Sequence, residues 1–227
     1  AGQRCALNIA GRGLDKDAVE RGDWILNPAL HAPVTRVDAR LRLLGREPRA
    51  LKSGTPVHIH LGAAETTGRV HILEDTSLAP GDEGLVQLAL DRPLGALSRD
   101  RLVLRDKSAR RTMAGGRVVD PFASARGRTK PARLERLAAM DRETPGEALA
   151  GLLDLATDGV NLDDFARAWN LEPAALDDLL TTQMAVVFAL DAGRFAISDE
   201  RWNGARQAIV ARLERWHGQH PADLGAG

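Results

Sequence analysis

The sequence predicts a multidomain chain in which an all-β barrel is followed by a small α+β domain. Three observations carry that expectation. Apolar and polar residues alternate in six short runs before Asp120, the period of half-buried strands. Beyond Asp120-Pro121 the apolar residues recur every third or fourth position, the period of helices. Charge is balanced overall, 31 Lys plus Arg against 31 Asp plus Glu, but unevenly placed. Residues 99–136 hold twelve bases and four acids, whereas residues 137–201 hold thirteen acids and four arginines. A basic segment joined to an acidic one suits a chain that meets a polyanion with one part only; the bland alternative is a solvated basic linker.

Composition sets the bounds. A length of 227 residues allows one to three domains, and 44% apolar residues is the content of a globular protein. Cys5 is the single cysteine, so no intramolecular disulfide forms; it sits in an apolar alternation and is expected to be buried and inert. No apolar run approaches the roughly 20 residues that span a bilayer, and no signal peptide is visible, so a cytoplasmic protein without membrane contact is expected; separately, it is expected to be a monomer. The chain opens on Ala1 directly into strand-like sequence, as a piece of something longer would.

The first half supplies the strands. "RCALNIAG" and "RGDWILNP" look like strands of one β unit, with Arg21-Gly22-Asp23 as the turn entering a strand at Trp24. In "VTRVDARLRLL" Val37, Ala39, Leu41 and Leu43 face one way, and Arg36, Asp38, Arg40 and Arg42 the other. "TPVHIHL", "GRVHIL", "GLVQLAL", "DRLVLRD" and "GRVVD" follow, separated by turn chemistry such as "APGDEG" and "DRPLG". Strands at this spacing close a barrel or sandwich.

His58 and His60 alternate on one strand, with His71 on the next, and two such histidines can serve a zinc ion. A catalytic zinc needs a third ligand that the sequence does not demand here. Polar residues alternating with Val, Ile and Leu also make an ordinary outer barrel face, so no metal is expected and the histidines read as incidental.

The second half supplies helices. "PARLERLAAM" aligns Leu134, Leu137 and Ala138. "TPGEALAGLLDLA" opens on a capping box of Thr144 and Glu147 with proline at the first helical position. "NLDDFARAWN" spaces Leu162, Phe165, Ala166 and Trp169 on one face, and "PAALDDLL" follows after a short turn. "AVVFALDAGRFAIS" reads as a hairpin around Asp191-Ala192-Gly193. Ser198 caps a last helix carrying Trp202, Ala205, Ile209, Leu213 and Trp216. Helices followed by a hairpin make a winged helix. Its recognition helix would carry Asp177 and Asp178 and no base, and the wing only Arg194, so it is a poor DNA reader and reads instead as a spacer or protein-contact module.

At this point the barrel can be compared with a family. "KSGTPVHIHLGAAETTGRV", "LAPGDEGLVQLALDRPL" and "DRLVLRDKSARRTMAGGRVVD" resemble the third domain of translational GTPases of the elongation factor Tu type, with a Thr-Gly turn, a "PGD" loop and a closing "R-T-x-x-G-G-x-V" strand in order. The N-terminal "AGQRCALNIAGRGLDKDAVERGDWILNP" is similar to the end of the second domain. The trailing winged helix points to the bacterial selenocysteine-specific branch, and "LERWHGQHP" resembles the start of its second winged-helix repeat. The resemblance implies an all-β translation-factor barrel followed by a winged helix. Residues 1–32 would end a second barrel, 33–120 form the third-domain barrel and 121–130 a basic linker. Residues 131–202 would form the winged helix and 203–227 the start of a further repeat.

The resemblance also implies delivery of selenocysteinyl-tRNA to the ribosome at recoded stop codons. The mRNA hairpin would be held by winged-helix repeats beyond this chain. No Gly-x-x-x-x-Gly-Lys-Ser/Thr loop occurs, so GTP and Mg²⁺ are expected in another domain, and this chain is expected to be no enzyme and to hold no cofactor. Arg4 falls where the family lines the aminoacyl pocket; a guanidinium there would favour a selenolate over a neutral serine, its alternative role being a surface arginine. The family's tRNA stem contacts fall on Thr66, Thr67 and Arg69 in the Thr-Gly turn, and on Lys107, Ser108, Arg110 and Arg111 before the closing strand. Arg126, Arg128 and Lys130 are weaker candidates, alternatively a solvated hinge. Gly115 and Gly116 are expected to serve close packing. The competing reading is a winged-helix nucleic-acid-binding regulator with a β-barrel sensor domain.

Overall fold

The computed structural model describes residues 6, 8, 9, 11 and 19–220. Residues 34–120 form β1 (Val34–Leu43), β2 (Leu51–Lys52), β3 (Pro56–Leu61), β4 (Ala64–Ile72), β5 (Ser77–Leu78), β6 (Glu83–Leu94), β7 (Arg101–Arg105) and β8 (Thr112–Asp120). Six of these close an antiparallel barrel in the order β1-β6-β4-β3-β7-β8, and β2 pairs with β5 beside it. The alternation dictates which residues turn inward. Val37, Ala39, Leu41 and Leu43 of β1 meet Val57, Ile59 and Leu61 of β3 and Leu102 and Leu104 of β7 in one buried cluster.

Two glycines allow the strands to cross closely. A Cβ on Gly68 would lie 2.2 Å from the Ala89 carbonyl oxygen, and one on Gly116 would lie 2.0 Å from that of Arg40. At Gly115 the nearest atom would be an ordinary 3.8 Å away, so of the expected pair only Gly116 is required.

Several expected boundaries move. The β3–β4 hairpin turns at Gly62-Ala63, because Leu61 pairs with Ala64; Thr66-Thr67-Gly68 is therefore strand, not turn. "DRPL" is strand as well: β6 runs on to Leu94, which pairs with Val34 past a bulge. Trp24–Leu26 form no strand, since among the described residues no strand pairs with them. The Arg21-Gly22 turn does form, with the Asp23 N–H donating to the Glu20 carbonyl, and it seats against Ala64. The described residues of "RCALNIAG" form no strand, and Arg4 and Cys5 lie outside the described residues.

The second half forms α1 (Pro131–Met140), α2 (Pro145–Leu155), β9 (Val160–Asn161), α3 (Leu162–Trp169), α4 (Pro173–Thr182), β10 (Ala185–Leu190), β11 (Gly193–Ser198) and α5 (Asp199–Gln219). The hairpin joins β9 in a sheet of order β10-β11-β9, completing a winged-helix-like arrangement. Thr144 and Glu147 make the reciprocal capping box. Asn161 caps α3 through two backbone N–H groups, and Asn170 ends it in the left-handed conformation. On α1 the buried residues are Leu137, Ala139 and Met140, while Ala138 is exposed. The apolar row of α5 is not buried: Trp202 stacks on Phe188, but Ile209 stays 60% exposed. The helix also runs unbroken through residues 202 and 203.

Leu73, Leu85 and Val119, on the outer side of the barrel, belong to the same buried cluster as Leu137, Leu149, Leu152 and Phe165. Barrel and helices thus share a core. This corrects the expectation that the second face of the strands meets solvent: Asp38 is fully buried because the linker and α1 cover it.

Candidate nucleic-acid interface

The covered side of the barrel consumes much of the basic segment. Arg133 pairs with Asp38 and approaches Asp120 at 3.8 Å, as does Arg136. Gln87 Nε2 donates to Asp38 and to the Ser124 carbonyl, tying down the basic linker at Ser124. Asp141, after α1, accepts from Arg40 of β1 and from Arg117 of β8, the latter at 2.9 Å. Arg99 approaches Glu143 at 3.7 Å. Burial pushes Asp38 up to about 6 against the pull of Arg133 and the Gln87 amide, which leaves it charged at neutral pH. So Arg99, Arg117, Arg133 and Arg136 fasten the helices to the barrel rather than facing a ligand.

The opposite side is open. β3 lies three strands from β1 in either direction round the barrel, and its neighbours are β4 and β7. Outward from these strands point Thr67, Arg69, His58, His60 and Arg105. Of the predicted residues, Thr67 and Arg69 are exposed here. The Thr67 hydroxyl donates to Asp91 at 2.5 Å, and Arg69 Nη1 donates to the Gly54 carbonyl. Thr66 is not on this surface: even numbers on β4 face the core, and Thr66 is 3% exposed, its hydroxyl accepting the Arg92 N–H.

Residues 106–111 connect β7 to β8 at the same end of the face. Asp106 organises them by accepting the N–H groups of Arg110 and Arg111 on one carboxylate oxygen and the Ser108 hydroxyl on the other. Those donors, the Arg111 N–H foremost, hold its carboxyl below the ordinary range. Lys107, Ser108 and Arg110 are thereby presented to solvent. Arg111 differs: its guanidinium pairs with Glu47 at 3.1 Å, and Glu47 is 6% exposed.

The histidines are arranged around one acid. His58 Nδ1 lies 3.0 Å from Glu65 and His60 Nδ1 3.8 Å, and the His58 bond lowers the Glu65 pKa. His71 sits apart, opposite Gln87, its pKa lowered by burial and then by nearby arginines. Among the described residues no group of three or more His, Cys, Asp or Glu is placed to hold a metal ion, and no helix is long and apolar enough to cross a membrane. On the helical side, α4 carries Asp177 and Asp178 and no base, and Arg194 of the wing is tied to Asp163. Sequence reading weighed His58 only as a metal ligand and set it aside, and it passed over Arg105 and the acid between the histidines. The signal for them was the phase of the alternation, which puts Thr67, His58 and Arg105 on the same outer face.

The family model described as the selenocysteine-specific elongation factor, beta-barrel domain, matches residues 34–125. The selenocysteine-specific elongation factor of Escherichia coli K12 is 39% identical over 228 residues, covering 100% of this chain and 34% of that protein. Those of Desulfomicrobium baculatum and Haemophilus influenzae Rd are each 30% identical, covering 99% of this chain and 36% and 35% of their own lengths. The chain spans about a third of the length of these curated relatives. Residues 34–125 thus match the β-barrel domain of selenocysteine-specific elongation factors, and the chain is similar over its whole length to part of those factors.

Proposed function

We propose that this chain is the part of a selenocysteine-specific elongation factor that holds the stem of aminoacyl-tRNA during delivery of selenocysteinyl-tRNA to the ribosome. One observation carries the reading. The outer face of β4, β3 and β7 and the adjoining loop present Thr67, Arg69, Arg105, Lys107, Ser108 and Arg110 on the side of the barrel that the helices leave uncovered. Cations and hydroxyls on such a face position a duplex without reading its sequence. Residues 33–120 act as the tRNA-holding barrel and residues 131–202 as a winged-helix spacer, with 1–32 contributing to a neighbouring barrel and 203–227 leading into a further repeat. GTP and Mg²⁺ are handled elsewhere in the factor, the mRNA hairpin is held by later repeats, and the work is done by a cytoplasmic monomer. Arg4 lines the aminoacyl pocket and favours a selenolate.

The test is binding of labelled selenocysteine tRNA across a salt series. Lys107→Glu with Arg110→Glu is expected to weaken binding about tenfold or more and to flatten the salt dependence by about two phosphate contacts. Unchanged affinity at low salt would overturn the reading.

A further inference from the structure

The winged helix holds an open sheet edge. In the order β10-β11-β9, β10 is paired on one side only. The two-residue turn Asp191-Ala192 closes on Leu190 and Gly193, so Leu190, Phe188 and Val186 direct their backbone groups at β11. The Ala196 carbonyl oxygen lies close to Gly159, beside β9, which fixes the same phase from the far side of β11. The N–H and C=O groups of Val187 and Ala189 therefore point away from the sheet, and among the described residues they meet no backbone partner there.

Proteins guard such edges with charged side chains, proline or bulges, because an unguarded edge pairs with any strand that fits it. The sequence of β10, Ala-Val-Val-Phe-Ala-Leu, carries no charge and no proline, and its register with β11 runs without a bulge. Apolar side chains flank it. Met184, which leads into the strand, is 77% exposed, and Val187 and Leu190 are exposed as well. Met184 also takes the left-handed conformation in which glycine commonly ends a helix, so its exposed side chain is kept at a conformational cost.

The charge around the edge selects its occupant. Asp177 and Asp178 stand exposed on α4, which packs against β10, and Asp191 lies at the far end of the strand. The base in register with the strand, Arg194 opposite Ala189, is tied to Asp163. A second copy of the chain would bring these acids against their own kind, and a nucleic acid would be repelled by them. A lysine- or arginine-rich strand meets them with opposite charge.

We propose that β10 is a docking edge for an extended, basic segment of a partner protein. The segment adds a strand beside β10, lays apolar side chains against Met184 and Val187, and sets its cations near Asp177, Asp178 and Asp191. The edge belongs to the winged helix, so this role does not depend on the tRNA-holding reading of the barrel.

The experiment uses the 227-residue chain and a labelled short peptide that alternates lysine with valine. The peptide is expected to bind at least about tenfold more tightly than its counterpart with glutamate in place of lysine. Methylating its backbone amides keeps the charge but removes the ladder donors, and is expected to abolish binding. Hydrogen exchange locates the contact: the Val187 and Ala189 amides, open in the free chain, become protected when the peptide is bound. Val187→Lys supplies the missing guard and is expected to weaken binding about tenfold. Should that variant fold poorly, Asp177→Asn with Asp178→Asn leaves the strand untouched and is expected to weaken binding about fivefold through charge alone. Absence of binding, equal binding of the glutamate or methylated peptide, full affinity in the folded variants, or protection confined to other amides would overturn the edge. So would self-association of the free chain that Val187→Lys abolishes, which would make a second copy the occupant.

Discussion

The Arg111 guanidinium lies 3.1 Å from the carboxylate of Glu47, joining the loop before β8 to the loop after β1. Glu47 is nearly inaccessible, and its other oxygen is buried without a partner. Arg111→Ala is therefore expected to lose about 1–3 kcal/mol, the cost of stranding a buried acid, reduced because the arginine itself is half-exposed. Lys107→Ala and Arg110→Ala, by contrast, should stay within about 0.5 kcal/mol of wild type. Urea denaturation of the three variants checks the ordering, and equal stabilities would mean that Arg111 is as free as its neighbours.

Asp141 stands between Arg40 and Arg117 with its side chain 10% exposed. Asp141→Ala should leave two arginines facing each other and cost about 2–4 kcal/mol. The loss falls at the junction. Differential scanning calorimetry of the variant should therefore split one transition into two, one for the barrel and one for the helices. A single transition at the wild-type temperature would argue against the role of Asp141 in joining them.

Gly68→Ala and Gly116→Ala place a methyl group within 2.2 Å and 2.0 Å of a backbone oxygen on the adjacent strand. Neither strand can yield without breaking its ladder, so a loss of more than about 3 kcal/mol, or failure to fold, is expected. Gly115→Ala, one residue away, should cost less than about 1 kcal/mol. Soluble yield and melting temperature of the three decide the matter.

Asp38 gives a pH dependence of definite sign. Its carboxyl is raised to about 6 in the fold, from 3.8, so between those values the native state holds more protons than the unfolded chain. Stability from this group is then greatest in acid and falls as pH rises from about 4 to 6, levelling beyond. The wild type minus Asp38→Asn difference, measured by denaturation from pH 4 to 7, should decline through that window. A rise through it would mean that the pull of Arg133 outweighs burial.

The six barrel strands and the helix starts were legible because each rests on local chemistry: alternation in Val37 to Leu43, the Thr144–Glu147 box, the proline that opens α4. What lay beyond local chemistry was misread. Alternation separates two faces but cannot say what covers the second, so Asp38 looked solvated when α1 lies over it. The same limit hid Leu73, Leu85 and Val119 as outward apolar residues awaiting helices. Thr66-Thr67-Gly68 carried turn-like residues, yet Gly68 is needed for close strand approach and not for a bend. Among the basic residues, count and clustering were legible but partners were not. Only the fold separates Arg117 and Arg133, which bind acids, from Lys107 and Arg110, which face outward.

The shared core has a mechanical meaning. Because the helices are seated on β1, β6 and β8, a rotation of the barrel is transmitted to them without slack. The 21 residues of α5 reach about 30 Å, fixed near their start by Trp202 against Phe188 and carrying no buried residue along their length. A tilt of the barrel by about 10° would therefore sweep the far end of α5 through about 5 Å, given that reach. Movement at one end of the molecule is registered at the other as displacement, as by the pointer of a gauge.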